Sequence, residues 1–369
     1  MILMNIKLDN LYAFRKFEMN MSYPKKIVGS TIAQEYLKDY PNFRYKKVIV
    51  LMGANASGKT SLGKAIMDIF RFIEKKEFGR ITEKISDTAK PASFSIDFVG
   101  SNGYLYRVDA LIDAADNIKT ENIHVSVQKE KIRNTDNYEI CASRFRTVNL
   151  KTKTEYIREL EEIDSDNWMF EFTLSLEQKK QYQLSQSEKY REILECTLKA
   201  LDPRIKSVIK VQESNDSYII NYENFSVLLH DGELVDKNNI LSSGTKEGIG
   251  VANIIASMKS GNFSFVYCDE KFSHIHSETE KAFLSVLIEC MKDDSQMFFT
   301  THNTDILDMN LPKHTFAFLR RGTDEDTMIN CVYASEYLKK NTESLRNAVE
   351  NDLFAALPSV DTVYSLAEL

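Results

Sequence analysis

The chain has 369 residues, of which 43% are hydrophobic and 27% are charged, so it holds enough apolar material for a large globular core. Its net charge of −7 excludes a general attraction to phosphate backbones or anionic membranes, and nucleic-acid binding would need a local basic surface. The five cysteines show neither CxxC spacing nor the density of a disulfide scaffold, and neither a signal-peptide core nor a run of about 18 uncharged apolar residues occurs. We therefore expect a soluble, cytoplasmic protein without a zinc site and without membrane contact.

The first part of the chain predicts a strand, a glycine-containing loop and a helix. Residues 4–21 alternate in the manner of an opening strand and turn, and the apolar run Val48–Met52 is typical of a buried strand. From Thr60 onward, apolar residues recur at helical spacing, at Leu62, Ile66, Ile69 and Ile73.

The middle of the chain predicts a β-rich part followed by a helical part. Four β-rich pieces are separated by turn-forming Asn, Gly and Asp residues: Ser93–Val99, Tyr104–Ile112, Ile123–Gln128 and Tyr138–Phe145. We expect them to form an antiparallel subdomain inserted after the first strand–loop–helix unit. Ser185 and Glu188 have the spacing of a capping box, and the apolar stripe after them stops at Asp202-Pro203. Three short strands are expected between Ser207 and His230.

From Leu241 onward, helices again alternate with buried strands. The pattern predicts a strand at Phe265–Cys268, a helix at Glu278–Lys292 and a strand at Met297–Thr301. An α/β core would thus come from both ends of the chain. We divide the chain into an N-terminal part of the core (1–92), an inserted β-rich subdomain (93–150), a helical lobe with short strands (151–240) and a C-terminal part of the core (241–369).

The strongest motif is a complete GxxxxGK[ST] sequence between the predicted strand and the predicted helix. With Ser61 beside it, this phosphate-binding loop comprises Gly53, Ala54, Asn55, Ala56, Ser57, Gly58, Lys59 and Thr60. Such a match arises by chance in roughly one chain of this length in a hundred. The glycines let backbone N–H groups face phosphate oxygens, Lys59 adds a cation for the β- and γ-phosphates, and Thr60 adds a hydroxyl ligand for Mg²⁺. The motif predicts ATP and Mg²⁺ as ligands.

Three further motifs follow at spacings that fit a phosphate site. The strand ending in Asp269 and Glu270 supplies one carboxylate for the Mg²⁺ shell and one that orients or deprotonates an attacking water. Ser242 and Gly244 stand before a predicted helix, where they either cap that helix or contact a γ-phosphate. His302 follows the next core strand, where it is either structural or hydrogen-bonded to the γ-phosphate or the lytic water.

Taken in order, these motifs resemble the ABC-type ATPase heads of SMC, RecF and OLD proteins. The resemblance is closest to the compact AAA-family ATP-binding proteins of prokaryotic phage-defence and abortive-infection loci, and the segments Ile6–Phe14 and Thr300–Asp305 also carry it. It implies a P-loop NTPase fold, ATP hydrolysis by Lys59, Glu270 and His302, and a homodimer or higher homo-oligomer. In such an assembly Ser242 and Gly244 reach the γ-phosphate held by a second subunit.

Some positions depart from the pattern of these families. The family's Q-loop residue cannot be assigned, and Gln128 is a weak candidate for it. His276 occupies the place of the D-loop aspartate of transporter subunits, which argues against a transporter role. We expect too few residues after His302 for the C-terminal nuclease domain of OLD proteins, so a destructive activity would belong to a separate effector that is nuclease-like or toxin-like.

Three functional hypotheses remain at this point. The first is an ATP-hydrolysing switch that acts on an effector in antiphage defence. The second is a RecF- or SMC-like ATPase that binds DNA in repair or maintenance, with salt-sensitive DNA binding that strengthens with ATP. The third is an interaction scaffold that binds nucleotide without hydrolysing it, and fold resemblance alone does not decide among the three.

Overall fold

The computed structural model describes most of the chain, namely residues 1–27, 29–150, 156–161, 163, 167–172, 188–212, 216–230, 233–235, 241–322, 328–340 and 343–356. The strands are β1 (Ile2–Asp9), β2 (Phe17–Asn20), β3 (Tyr36–Leu37), β4 (Tyr40–Arg44), β5 (Val48–Met52), β6 (Ala92–Val99), β7 (Tyr104–Ile112), β8 (Ile123–Lys131), β9 (Trp168–Phe172), β10 (Ser207–Lys210), β11 (Ser217–Asn221), β12 (Ser226–His230), β13 (Glu233–Leu234), β14 (Phe265–Asp269), β15 (Gln296–Thr300), β16 (Phe316–Arg321) and β17 (Ile329–Tyr333). The helices are α1 (Lys59–Lys75), α2 (Gly79–Thr82), α3 (Tyr138–Ala142), α4 (Tyr156–Glu161), α5 (Glu188–Leu201), α6 (Ser243–Ser260), α7 (Ser277–Cys290), α8 (Ala334–Tyr337) and α9 (Leu345–Glu350).

The central sheet has six strands in the order β17-β16-β5-β15-β14-β9. Its neighbours pair in parallel except for β16 and β17, which are antiparallel. All five residues of β5, β14 and β15 are buried, because helices or a second sheet cover both faces. Helix α1 lies on one face, and helices α6 and α7 lie on the other. The parallel strands β5, β14 and β15 end at one edge, which we call the carboxyl edge.

A second, antiparallel sheet covers the outer side of α1. Its strand order is β2-β1-β6-β7-β8, and apolar side chains of β1, β6 and β7 share one core with α1. Strands β6 to β8 were predicted as part of an inserted subdomain. Strand β6 pairs with β1 at the start of the chain, β7 pairs with β6 and β8 pairs with β7, so the sheet includes residues from both sides of α1. The predicted division of the chain into four parts stays a prediction.

A third sheet, β10-β11-β12-β13, packs against α5 and α6. The end of α5 at Leu201 and the three short strands after Ser207 agree with the sequence-based prediction. The proposed capping box at Ser185 lies outside the described residues. None of the described helices is both long enough and apolar enough to cross a membrane.

One local prediction was wrong, and one strand was missed. The segment Tyr138–Phe145 was expected to be a strand, but Tyr138–Ala142 is helical because the Asn137 side chain caps the helix by accepting a bond from the Ile140 N–H, and Tyr138 and Cys141 face the core three residues apart. Strand β9 was not predicted at all. It lies in the expected helical lobe, yet it pairs in parallel with β14 and completes the central sheet.

Buried Gln296 links the central sheet to the second sheet. Its Nε2 donates to the carbonyls of Leu3 (3.0 Å) and Lys46 (3.1 Å), and its Oε1 accepts from the Leu3 N–H at 2.9 Å. The side chain is fully buried. One amide thus satisfies three backbone groups that would otherwise lack partners.

We expect Gln296→Leu to lower the free energy of unfolding by about 3 kcal/mol, because it leaves buried polar groups unpaired. Urea-induced unfolding would measure the change. Gln128→Leu is the matched control, since Gln128 bonds the backbone of Arg146 at a more exposed place and its loss should cost about 1 kcal/mol or less. Equal losses in the two variants would contradict the linking role of Gln296.

Candidate active site

The loop between β5 and α1 can form only with glycine at two positions. Gly53 has a φ of +151° and Gly58 a φ of +99°. A Cβ on Gly53 would lie 2.4 Å from the carbonyl oxygen of Leu319, and one on Gly58 would lie 2.8 Å from Cδ1 of Ile329. The loop is therefore pressed against β16 and β17 while it turns into α1. Because the first N–H groups of a helix have no partner within it, this turn presents donors to an anion.

Lys59 folds back over this loop. Its Nζ donates to the carbonyls of Gly53 at 2.9 Å and Ala54 at 3.3 Å, and it lies 3.4 Å from Oε1 of Glu270. Only 3% of its side chain is exposed, and burial lowers its pKa. The ammonium is thus held inside the loop by three oxygen atoms, which phosphate oxygens can replace.

Asp269 connects three elements at the carboxyl edge. Its Oδ2 accepts from the Thr60 hydroxyl on α1 at 2.7 Å, and its Oδ1 accepts from the Thr300 hydroxyl on β15 at 2.8 Å. The register of β14 and β15 places Asp269 and Thr300 side by side. Burial raises the pKa of Asp269, although both hydroxyl donors act in the opposite direction.

Glu270 sits directly after β14 in a strained backbone conformation. Its φ is +48°, a region that costs a non-glycine residue on the order of 1–3 kcal/mol. Its N–H donates to the Thr300 hydroxyl at 2.9 Å, which holds this turn. Oε1 of Glu270 lies 2.8 Å from Nε2 of His302, and the hydrogen bond with His302 is the main reason that the pKa of Glu270 is lowered; Lys59 contributes further.

A cleft of about 390 Å³ opens beside this pair. Its walls come from the turn after β14, the start of α7 and the turn after β15: Glu270, Phe272, Ser273, Ile275, Ser277, Glu280, Thr301, His302 and Asn303. The side chain of Glu270 is 29% exposed and that of His302 is 40% exposed, so water can reach both.

Ser242 and Gly244 stand at the start of α6, apart from the loop that holds Lys59. Ser242 is exposed and caps α6 by accepting from the Thr245 N–H at 3.1 Å. A Cβ on Gly244 would lie 2.9 Å from the carbonyl oxygen of His274. The start of α6 therefore packs against the turn that follows Glu270, and in the described part of the chain it makes no hydrogen bond to the loop.

The residues at the carboxyl edge fit a nucleotide with Mg²⁺. Thr60 and Asp269 bring a hydroxyl and a carboxylate together, and hard oxygen ligands are those that Mg²⁺ prefers. No cluster of three or more His, Cys, Asp or Glu ligands occurs among the residues that are described, so phosphate and water oxygens would have to complete the metal shell. Buried Ser57 Oγ in the loop has no hydrogen-bond partner within those same residues.

The structure brings together most of the residues that the sequence singled out. The loop with Lys59 and Thr60, the pair Asp269 and Glu270, and His302 lie in mutual contact, whereas Ser242 and Gly244 do not join them. Asn55 and Ala56 are exposed at the loop tip, and Ser61 is half-buried in the first turn of α1. Gln128 lies on β8 of the second sheet and bonds the backbone of Arg146, and His276 caps α7.

Sequence reasoning assigned no role to three residues that shape the site. Thr300 bonds both Asp269 and the N–H of Glu270, and the Tyr267 hydroxyl donates to the carbonyl of Lys59 at 2.7 Å. Glu280 contacts both neighbours of His302. The signal for Thr300 was a hydroxyl near the end of the strand predicted at Met297–Thr301, the next core strand after the acidic pair. Nothing in the sequence marked the other two residues.

Comparison with known proteins places these features in a family. Residues 48–308 match the family described as "AAA domain, putative AbiEii toxin, Type IV TA system". The structure resembles a crystal structure of the SmcHead bound to the C-winged helix domain of ScpA, with a TM-score of 0.53 at 15% identity over 95% of this chain and 100% of that chain. It also resembles the Smc head domain with an extended coiled coil bound to the C-terminal domain of ScpA, from Pyrococcus furiosus, with a TM-score of 0.51 at 12% identity over 95% and 98%. No curated protein matches the sequence.

We expect His302→Ala to raise the pKa of Glu270, because the variant removes the hydrogen bond that lowers it most. A folded-state pKa below the unfolded value of about 4.3 adds stability above that value, and this stability is lost as the pH falls through the folded pKa. In the variant this stabilisation should be smaller, and its loss should be complete at a higher pH. Carboxyl ¹³C NMR titration measures the change, with the Glu270 signal assigned by its absence in Glu270→Gln.

His274→Ala serves as the control for this titration. His274 pairs with Glu247, so the Glu270 signal should titrate as in the wild type. If Glu270 titrates at the same pH with and without His302, the hydrogen bond between them does not set its pKa.

Proposed function

The chain belongs to the AAA-domain family whose description names the AbiEii toxin and type IV toxin–antitoxin systems, and we propose that it binds ATP with Mg²⁺ and hydrolyses it to ADP and phosphate. Its fold is that of an SMC-head-like ABC-type ATPase. The observation that carries the proposal is the contact of Lys59 and Thr60 with Asp269 and Glu270 at one edge of the central sheet. Ligands of open α/β sheets bind at this edge.

Binding would use the loop and the start of α1. Lys59 exchanges the carbonyl oxygens of Gly53 and Ala54 for oxygens of the β- and γ-phosphates, while backbone N–H groups of the loop bond the remaining phosphate oxygens. Thr60 and Asp269 would hold Mg²⁺, which offsets negative charge on the phosphates when it is bound.

Hydrolysis would depend on Glu270. A water oxygen attacks the γ-phosphorus, the bond to the oxygen that bridges the β- and γ-phosphorus atoms breaks, and ADP leaves with that oxygen. Glu270 accepts the proton that the water loses, and its lowered pKa keeps it ionised and ready to accept. His302 holds the carboxylate in place, while Lys59 stabilises charge on the phosphates.

A second copy of the chain would complete the site. Ser242 is exposed at the start of α6, where its hydroxyl can meet a phosphate from outside its own subunit. We propose that Ser242 and Gly244 of each subunit contact the γ-phosphate held by the other subunit. Because the nucleotide then contacts both subunits, ATP favours the closed dimer and hydrolysis releases it.

We further propose that this opening and closing acts as a switch on a separate effector in antiphage defence. The description of the family, which names a toxin and a toxin–antitoxin system, supports this role. Salt-sensitive DNA binding that strengthens with ATP would instead favour a role in DNA maintenance.

Glu270→Gln should lower the rate of phosphate release about 100-fold or more, because the amide cannot accept the proton, while ATP binding persists. Phosphate release and calorimetric ATP binding measure the two effects. Glu278→Gln is the matched control, since Glu278 is exposed on α7 and pairs with Lys281. An unchanged rate in Glu270→Gln would exclude the proposed catalytic role.

Mixing two inactive variants should restore activity if the site is shared between subunits. Lys59→Ala disables the loop and Ser242→Arg disables the opposing α6, so a mixed dimer keeps one intact site. An equal mixture should regain up to about a quarter of the wild-type rate, the value for sites that turn over independently, since half the dimers are mixed and each of those has one intact site.

The control mixture combines Lys59→Ala with Glu270→Gln. Both changes lie on the same side of the site, so a mixed dimer has no intact site and stays inactive. A mixture of Lys59→Ala and Ser242→Arg that is no more active than its parents would contradict a shared site.

A further inference from the structure

Glu280 is a buried carboxylic acid in the first turn of α7, with 4% of its surface exposed. A carboxylate at such a place is costly unless hydrogen bonds compensate for lost hydration. No lysine or arginine pairs with it in the described part of the chain. Burial accordingly raises its pKa, and bonds from neutral donors oppose this shift.

Its two oxygen atoms hold the residues on either side of His302. Oε1 accepts from the Thr301 hydroxyl at 2.7 Å, and Oε2 accepts from Nδ2 of Asn303 at 2.7 Å. The Asn303 N–H in turn donates to the Thr301 hydroxyl at 2.9 Å, which closes a ring of hydrogen bonds around the turn. One carboxylate therefore fixes both flanks of a histidine that it does not touch.

Other hydrogen bonds also reach this turn, because the Asn303 side chain bonds Ser277 and the Asp305 N–H, and the Thr301 N–H donates to the carbonyl of Leu51. Glu280 differs from these contacts in that it bonds side chains on both sides of His302. Strand β15 ends at Thr300, and the 3-10 helix that follows begins at Thr304. The three residues between them include His302, whose Nε2 must stay 2.8 Å from Oε1 of Glu270. A change in the backbone of the turn would move the imidazole away from the carboxylate.

We infer that Glu280 is a positioning residue that holds His302 against Glu270. The inference rests on the proposed hydrolytic role of Glu270, and it adds a residue from α7 that acts through His302 without contact with the nucleotide. It predicts that a loss of the ring of hydrogen bonds lowers turnover more than it lowers ATP affinity.

A purely structural role would be to stabilise the start of α7. Acidic residues near a helix N-terminus interact favourably with the helix dipole. Glu278 lies in the same first turn and is 71% exposed, so it shares this effect but not the contacts with the turn. The pair of variants Glu280→Gln and Glu278→Gln therefore separates positioning from helix stabilisation.

Glu280→Gln keeps an oxygen for Thr301 but turns an NH₂ group toward Nδ2 of Asn303. We expect kcat for ATP hydrolysis to fall about tenfold or more while KM changes little, because a misplaced catalytic group costs rate. The imidazole NMR signal of His302, one of six histidines and assigned by its absence in His302→Ala, should shift. Glu278→Gln should leave kcat and this signal unchanged.

Rescue tests the geometry of the ring. Adding Asn303→Asp to Glu280→Gln reverses the direction of the hydrogen bond between the two positions and should restore much of kcat and the wild-type His302 signal. Thr301→Val removes the other donor and should displace the same signal, which keeps the test open if Glu280→Gln folds poorly.

An unshifted His302 signal in both Glu280→Gln and Thr301→Val would overturn the positioning role, whatever the rate. A wild-type protein that releases no phosphate would instead refute the proposed hydrolysis, and the NMR comparison would still decide the role of Glu280. An equal fall in kcat for Glu278→Gln would show that Glu280 acts only by stabilising the start of α7.

Discussion

The site depends on the carboxylate of Asp269, which two threonine hydroxyls share. Thr60 brings the start of α1 to it and Thr300 brings the end of β15, so the loop, the acidic strand and the strand before His302 meet at one point. Close packing beneath this point supports it. A Cβ on Gly63 of α1 would lie 2.5 Å from the ring of Tyr267, so only glycine lets the helix approach β14 so nearly. The Tyr267 hydroxyl donates to the carbonyl of Lys59, the first residue of α1, and the Lys59 ammonium lies beside Glu270.

The parallel part of the fold could be predicted because its signals are local. The strands Val48–Met52 and Phe265–Asp269 are mostly apolar and stand next to motif residues. Because parallel strands end at the same edge of a sheet, the sequence could predict that Lys59 lies near Asp269 and Glu270. Strand β9 escaped prediction because Trp168–Phe172 is short and its partner β14 lies far along the chain. The pairing of β6 with β1 is likewise non-local, and the helix at Tyr138 depends on one cap and on burial of two side chains. Glu280 was hidden since an acid in the first turn of a helix is usually exposed, and only the folded chain shows which turn it faces.

The covering elements explain why this sheet edge keeps its shape. The second sheet covers α1 from outside, and Gln296 ties β1 to the central sheet through the two backbone groups of Leu3. Strands β16 and β17 close the other side of the loop through the carbonyl of Leu319 and the side chain of Ile329. The strained backbone at Glu270 is tolerated within this frame, since the Thr300 hydroxyl accepts a hydrogen bond from the Glu270 N–H.

The contact between Gly244 and the carbonyl of His274 has a consequence for communication within a dimer. His274 belongs to the turn that begins with Glu270, and its N–H donates to Glu247 on α6, so the start of α6 and that turn form one packed unit. In the assembly we propose, each subunit offers the start of α6 to its partner's nucleotide. A movement of Glu270 at one nucleotide would then be transmitted through this unit to the other nucleotide, so the state of one site would influence the rate of hydrolysis at the other.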